Sequence, residues 1–346
     1  MNHRALWVVC VALTAGCAVG EARDVTFLST SDSHYRQEDH PQGSHNALNV
    51  ASIEAMNGIT QLTWPEKLGG GAIATPRGVL ALGDLIDNGD SAVGGRQLSA
   101  EQYAFFEKDF GLTGKDGLLR YPVYDGWGNH DGPPVGKEKN GFSMQAKLLA
   151  RNKQRGELKL ATHFSPNGLH YSWDWDDVHF VQLNLYPADR QDAGIKYNPV
   201  WHDPQLALSF LKQDLADQVG SSGRPVVLMS HCGFDTDWWS KDDWKRAYDV
   251  AKGYNVILYI YGHTGTGLKA WAPDGEAKKW DCINDGQTDK GFFVIQLTDD
   301  RIRAAYRIKS GLQAVKDEKT KATRFTWGGQ WEWKYLFDRK LVPATK

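Results

Sequence analysis

Five short apolar runs punctuate the chain, and each gives way to a polar cluster. They are Val25-Thr26-Phe27-Leu28, Gly78-Val79-Leu80-Ala81-Leu82, Tyr121-Pro122-Val123-Tyr124, Pro225-Val226-Val227-Leu228-Met229 and Val256-Ile257-Leu258-Tyr259-Ile260. Their length and β-branched content predict buried strands. Helical patterns lie between them over 46–56, 100–110, 206–219 and 242–252. Strands alternating with helices predict an α/β layer fold, whose ligand-binding groups collect beyond the carboxyl ends of the strands. Two hairpins are expected as well, 170–175 with 179–185 around Asp176-Asp177, and 291–297 with 301–308 around Thr298-Asp299-Asp300. The charged, apolar-poor stretch 315–324 predicts a loop. So does Gly69-Gly70-Gly71, which lacks the lysine of a phosphate-cradling loop. No repeat or linker divides the chain, so 23–346 is expected to form one domain ending in a β-hairpin and tail.

The first 22 residues have a different pattern. His3 and Arg4 precede a charge-free run over 5–15, followed by the small residues Ala15, Gly16, Ala18 and Gly20. This is the pattern of an export signal, and its apolar run is too short to span a bilayer core of ~30 Å. Leu13-Thr14-Ala15-Gly16-Cys17 resembles a bacterial lipobox with Cys17 as the lipid-bearing residue, a cut after Gly20 or Ala22 being the alternative. The expected location is the periplasm, the outer membrane through a lipid anchor at Cys17, or the medium.

Composition narrows the function classes. Hydrophobic residues at 41% of the 346 supply a sizeable core. A balance of 40 Lys+Arg against 42 Asp+Glu argues against a broad nucleic-acid or membrane-binding surface. Of the four cysteines only Cys232 and Cys282 lie beyond the signal, free to pair or to stand apart. No C-x-x-C pair is present, which disfavours a thiolate zinc site. Most of the 14 tryptophans are expected in the core. Trp238-Trp239, starting seven residues after His231, is the better pocket candidate, ahead of Trp327, Trp331 and Trp333.

The chemistry gathers in the polar clusters: Asp32-Ser33-His34, Gly83-Asp84-Leu85-Ile86-Asp87-Asn88-Gly89, Gly128-Asn129-His130-Asp131, His231, and Gly262-His263-Thr264-Gly265. Residues two apart on an extended segment point the same way, so Asp32 and His34 can share a metal. Glycines ahead of Asp84, Asn129 and His263 allow backbone to approach a crowded centre. Imidazole, carboxylate and amide oxygen make a mixed O/N set suited to manganese, iron, zinc or a related divalent ion.

The order of these clusters, from about Val25 to Arg307, resembles that of the calcineurin-like metallophosphoesterases. The resemblance implies a four-layered αββα sandwich with two divalent metals at the strand ends. It implies Asp32 and His34 as ligands of the first metal, Asp84 as the bridge, and Asn129, His231 and His263 as ligands of the second. His130 would be the acid that protonates the leaving oxygen, and Asp131 would complete the motif and orient His130. The implied activity is hydrolysis of a phosphomonoester or phosphodiester by a metal-bound water. Its substrate would be a small phosphoester, a phospholipid or a sugar phosphate.

The sequence departs from the family at one position. The family's last motif carries a second histidine, a ligand of the first metal, where this chain has Gly265. A weak, exchangeable or empty first site follows from that departure. His40 and His45 are substitutes by residue type only, and read more readily as loop histidines. The alternative is a non-catalytic metal- or ligand-binding exported protein of the same fold, or a sugar-binding module built on the tryptophans. Asp87 stands where purple acid phosphatases carry a tyrosine, and Arg36, two residues after His34, either meets a substrate phosphate or is solvated.

Overall fold

The computed structural model describes residues 22–37, 42–89, 92–132, 142–195, 202–316, 318 and 323–341. Residues 1–21, with Cys17, and His40 lie outside them. Along the chain run β1 (Asp24–Thr30), α1 (His45–Asn57), β2 (Val79–Leu82), α2 (Ser99–Phe110), β3 (Val123–Gly126), α3 (Met144–Glu157) and β4 (His163–Phe164). They are followed by β5 (Tyr171–Trp175), β6 (Val178–Gln182), α4 (Ala207–Asp214), β7 (Pro225–Met229), α5 (Lys241–Ala251) and β8 (Asn255–Tyr261). The remainder is β9 (Thr266–Trp271), β10 (Trp280–Asp285), β11 (Gly291–Thr298), β12 (Arg301–Lys309), β13 (Gln313–Lys316), β14 (Thr323–Thr326) and β15 (Trp331–Lys340).

Two mixed sheets carry the fold, in the orders β15-β12-β11-β1-β2-β3 and β4-β5-β6-β7-β8-β10-β9. The site-bearing strands β1, β2 and β3 run parallel, as do β6, β7 and β8. Their apolar runs are continuous because both faces are covered. Alternate residues go to different cores: Phe27, Leu80, Val227 and Met229 meet between the sheets, whereas Leu28, Val79, Val226 and Leu228 join the helices outside. The inter-sheet core is aromatic. Phe27 packs edge-on to Phe180 at 5.4 Å, and Tyr124 stacks on Trp173 at 4.2 Å. On the outside, Ile53 and Met56 of α1 and Phe106 and Phe110 of α2 cover the first sheet. The result is the four-layered αββα arrangement.

Several elements escape the apolar pattern. The buried face of α3 is Met144, Leu148, Arg151, Asn152 and Arg155, so its inward stripe is half polar. Arg151 Nη2 lies 2.8 Å from Asp125 Oδ1, and Arg155 pairs with the same carboxylate, which is how two arginines are buried against β3. β15 is an edge strand of mixed exposure; it alternates over Trp331-Glu332-Trp333-Lys334-Tyr335 and loses the alternation where its pairing with β12 shifts register. The 315–324 stretch is flanked by β13 and β14, which pair with each other instead of forming a plain loop. The 206–219 helix changes to a π-helical turn at Leu215–Val219. Cys232 and Cys282 are separate, buried and free, not paired. No helix among the described residues is long and apolar enough to cross a membrane.

Candidate metal centre

The polar clusters follow the carboxyl ends of β1, β2, β3, β7 and β8. Four of their residues have left-handed backbone: Asp32 at φ 49°, His34 at φ 40°, Asp84 at φ 49° and His263 at φ 68°. Non-glycine residues adopt this region only when their surroundings over-determine it, at a cost of ~1–3 kcal/mol each. Here backbone hydrogen bonds hold it in place, from Asp32 N to Gly83 O at 3.0 Å and from His34 N to Asp84 O at 2.9 Å. Asp32 and His34 therefore converge through two left-handed residues, not through the extended segment that the two-residue spacing suggests. The His34 Nε2 to Asp32 Oδ1 distance is 3.6 Å.

Asp84 sits between the two histidine groups. Its Oδ2 lies 3.2 Å from His231 Nε2 and 3.7 Å from His34 Nε2, while Oδ1 accepts the His130 amide at 2.8 Å. His231 Nδ1 donates to Leu82 O at 2.8 Å, which turns Nε2 toward Asp84 and Asn129 Oδ1, the latter at 3.0 Å. His263 donates its amide to Asp32 Oδ2 at 3.0 Å, and its ring stands 5.1 Å from that of His231. Ligand-type atoms of Asp32, Asp84 and His231 lie within 4.8 Å of one another, as do those of His34, Asp84 and His130. The glycines ahead of Asp84, Asn129 and His263 make this crowding possible. A Cβ on Gly83 would stand 2.6 Å from Gly128 N, one on Gly262 2.7 Å from Asp32 Oδ2, and one on Gly128 would strike Asp84.

Buried carboxylates dominate the local field. Burial alone would depress His231 and His34, but Asp84 and Asp32 outweigh it and raise them to about 10 and about 9. Asp84 is held far below the ordinary carboxylate range by His231 and His34, against its own burial. Burial and the charge of Asp84 lift Asp131 to about 7, and burial with the His231 cation lowers His263 to about 4. A centre that draws protons onto two histidines is a centre that attracts cations.

The calcineurin-like phosphoesterase model matches residues 25–266. The chain belongs to that family. No curated protein gives a significant match. Solved structures that resemble this chain include a purple acid phosphatase from yellow lupin (Lupinus luteus) seeds, at 13% identity and a TM-score of 0.46, over 84% of this chain and 52% of that one. TT1561 of Thermus thermophilus aligns at 12% identity and a TM-score of 0.37, over 88% and 99% of the two chains. Haemophilus influenzae NAD nucleotidase aligns at 14% identity and a TM-score of 0.38, over 80% and 47%. The chain thus spans about half the length of the lupin and Haemophilus proteins.

Two motif residues have surroundings that the sequence did not suggest. Asp131 does not orient His130. Its carboxylate accepts the amides of Leu85 at 2.7 Å, Ile86 at 3.0 Å and Gly128 at 2.6 Å, clamping the loops after β2 and β3 together. His130 is oriented by Asp87, whose carbonyl lies 2.8 Å from Nδ1. The Asp87 side chain also faces His34 Nδ1 at 3.6 Å and Arg36 Nε at 3.5 Å, so Arg36 reaches the rim of the centre with 38% of its side chain exposed. His45 is buried at the start of α1, not exposed in a loop. Its nitrogens face Ser33 O at 3.0 Å and Asp289 at 3.4 Å, so it supports the Asp32–His34 turn from behind and does not replace the missing ligand. Gly265 has φ 125°, and a Cβ there would meet nothing within 4 Å.

Asn184 lacks any motif signal, and only its place just after β6 could have flagged it. It is buried and left-handed at φ 58°. Its carbonyl accepts His231 N at 2.5 Å, and its Oδ1 accepts Trp127 N at 3.3 Å, so one residue grips both the β3 and β7 loops. Its Nδ2 lies 2.9 Å from His170 Nδ1, whose Nε2 is on Gln205 O at 3.0 Å. Trp238, buried to 9% exposure, stands edge-on to the His263 ring at 5.4 Å, whereas Trp239 is core, its Nε1 on Gly233 O. Cys232 Sγ also approaches His231 and His263, but burial and the Asp84 and Asp32 charges keep it a thiol.

Proposed function

We propose that this chain hydrolyses phosphoesters at this centre, with Asp32, His34, Asp84, Asn129, His231 and His263 holding divalent metal. The observation that carries the reading is the placement of one carboxylate, Asp84, against both His34 and His231. The donor set fits a divalent cation, since it is rich in oxygen and imidazole and His231 presents Nε2 inward. When bound, metal there supplies Lewis acidity to an attacking water and to the phosphoryl oxygens.

The chain's own residues do the rest. Asp84 and Asp32 concentrate negative charge where the cation is wanted. His130, with Nδ1 committed to the Asp87 carbonyl, presents Nε2 as the atom that passes a proton to the leaving oxygen. Arg36 offers a guanidinium for a phosphate oxygen at the rim. Asp131 positions, and does not react. The substrate is a small phosphoester, and the pattern of residues 1–22 supports export, with Cys17 as a candidate anchor.

Turnover of an aryl monophosphate and a bis-aryl phosphate, with each of several divalent metals, tests the reading and separates monoesterase from diesterase. Loss of turnover in His130→Ala with metal content unchanged supports it. No turnover of either ester with any metal sinks it in favour of the second reading, a non-catalytic metal- or ligand-binding protein, for which Gly265 is the motivating observation.

A further inference from the structure

At the pole opposite the metal centre, where β1, β7 and β8 begin, a cleft of ≈ 720 Å³ opens between the two sheets. Arg23, Arg224, Lys278, Lys279, Arg339 and Lys340 line it, against two carboxylates, Asp177 and Asp299. The arginines are compensated. Arg23 makes a two-point pair with Asp177 at 2.6 Å, Arg224 pairs with Asp174, and Arg339 pairs with Asp281. The lysines are not. Lys278 Nζ donates to the carbonyls of Lys252 at 3.4 Å and Tyr254 at 3.0 Å, acceptors that bring no opposite charge. Lys279 and Lys340 are exposed and pair with no carboxylate among the described residues. Set against Asp299, the three ammonium groups leave two positive charges in excess in one concavity, on a chain whose formal net charge is −2. Like charges held together in this way repel, and an anion between them relieves the repulsion.

We propose that this cleft is a binding site for phosphate-bearing anions, separate from the metal centre. Arg23, in its wall, follows directly on the 1–22 segment with its charge-free run and Cys17. A chain held at a membrane through that segment would present this pole to anionic headgroups, and the metal centre would face away from the bilayer. Soluble oligophosphates share the chemistry and are the other source.

The test uses the full metal-loaded chain and two probes: tripolyphosphate followed by calorimetry, and sedimentation with phosphatidylcholine vesicles with or without phosphatidylglycerol. The expected result is binding of at least one probe, weakened by salt, unaffected in Asp84→Asn, and reduced by more than roughly 25-fold in the double variant Lys279→Glu/Lys340→Glu. Both substitutions are at exposed positions, and an unchanged melting temperature verifies the fold. Phosphatidylglycerol-dependent sedimentation without tripolyphosphate binding assigns the cleft to a membrane surface. Tripolyphosphate binding alone assigns it to a soluble anion. The proposal is overturned if neither probe binds, if the double variant binds as tightly as the parent, or if only Asp84→Asn abolishes binding.

Discussion

The carbonyl oxygen of Asp87 lies 2.8 Å from Nδ1 of His130. A backbone acceptor fixes the ring without a titratable partner, and it survives changes to the Asp87 side chain. His130→Asn should lower kcat by ~10²–10⁴-fold with metal content unchanged. Asp87→Asn should leave most of that activity in place, because the carbonyl remains. Equal losses in both variants would place the orienting role in the Asp87 carboxylate instead.

Asn184 joins the loops bearing Asn129 and His231. Asn184→Ala strands the Trp127 amide and leaves His170 without its Nδ1 donor, each at ~1–3 kcal/mol. Metal affinity should fall by ~10–100-fold, as for other outer partners of ligand residues. Urea unfolding and competition with a chelator measure the two effects. A variant of full metal affinity and parental stability would remove the positioning role.

Restoring the absent histidine is not a simple repair. The space beside Gly265 is open, yet φ 125° is a conformation that L-residues rarely adopt. Gly265→His should destabilise the chain by ~1–3 kcal/mol and add no further metal equivalent. Metal analysis with a thermal melt decides it: an extra equivalent at an unchanged melting temperature would show that the loop accommodates a side chain.

His179 is buried between two carboxylates, with Nδ1 2.7 Å from Asp174 and Nε2 2.7 Å from Asp214. Burial opposes its charge, but the two hydrogen-bonded carboxylates prevail and raise its pKa. A histidine whose folded pKa is raised contributes stability that is fully present below its unfolded pKa and is lost as pH rises through the folded one. The stability difference between the parent and His179→Asn should therefore be largest below the ordinary histidine pKa of ~6.5 and shrink as the pH is raised above it. Urea midpoints on both sides of that value check it, and a difference growing with pH would contradict the ion-pair assignment.

The residues that converge on the centre were legible because each stands where an apolar run stops. Asp32, Asp84, Asn129, His231 and His263 are marked by strand ends and by glycines that make room for them. Residues acting through backbone groups leave no such mark. Asp87 and Asn184 use their carbonyls, which any residue owns, and the left-handed turns at Asp32 and His34 have no glycine to announce them. α3 was invisible for a related reason: its inward stripe includes Arg151 and Arg155, whose burial depends on Asp125 from a different element. Apolar periodicity reads one segment at a time, and that helix is specified by two.

Successive residues of β1, β2 and β7 alternate between the aromatic layer and the helical layer. A slip of one position in any of these strands would exchange every side chain between the two layers at once. It would also carry the residue at the strand's end by about 3.3 Å along the chain axis. Metal–ligand bonds tolerate ~0.2 Å. The interior thus acts as a vernier for the centre: packing far from the surface sets Asp32, Asp84 and His231 to a finer tolerance than the loops that bear them could hold alone. Single-residue insertions within these strands should be far more damaging than insertions of the same size in the exposed turn between β9 and β10, remote from the centre.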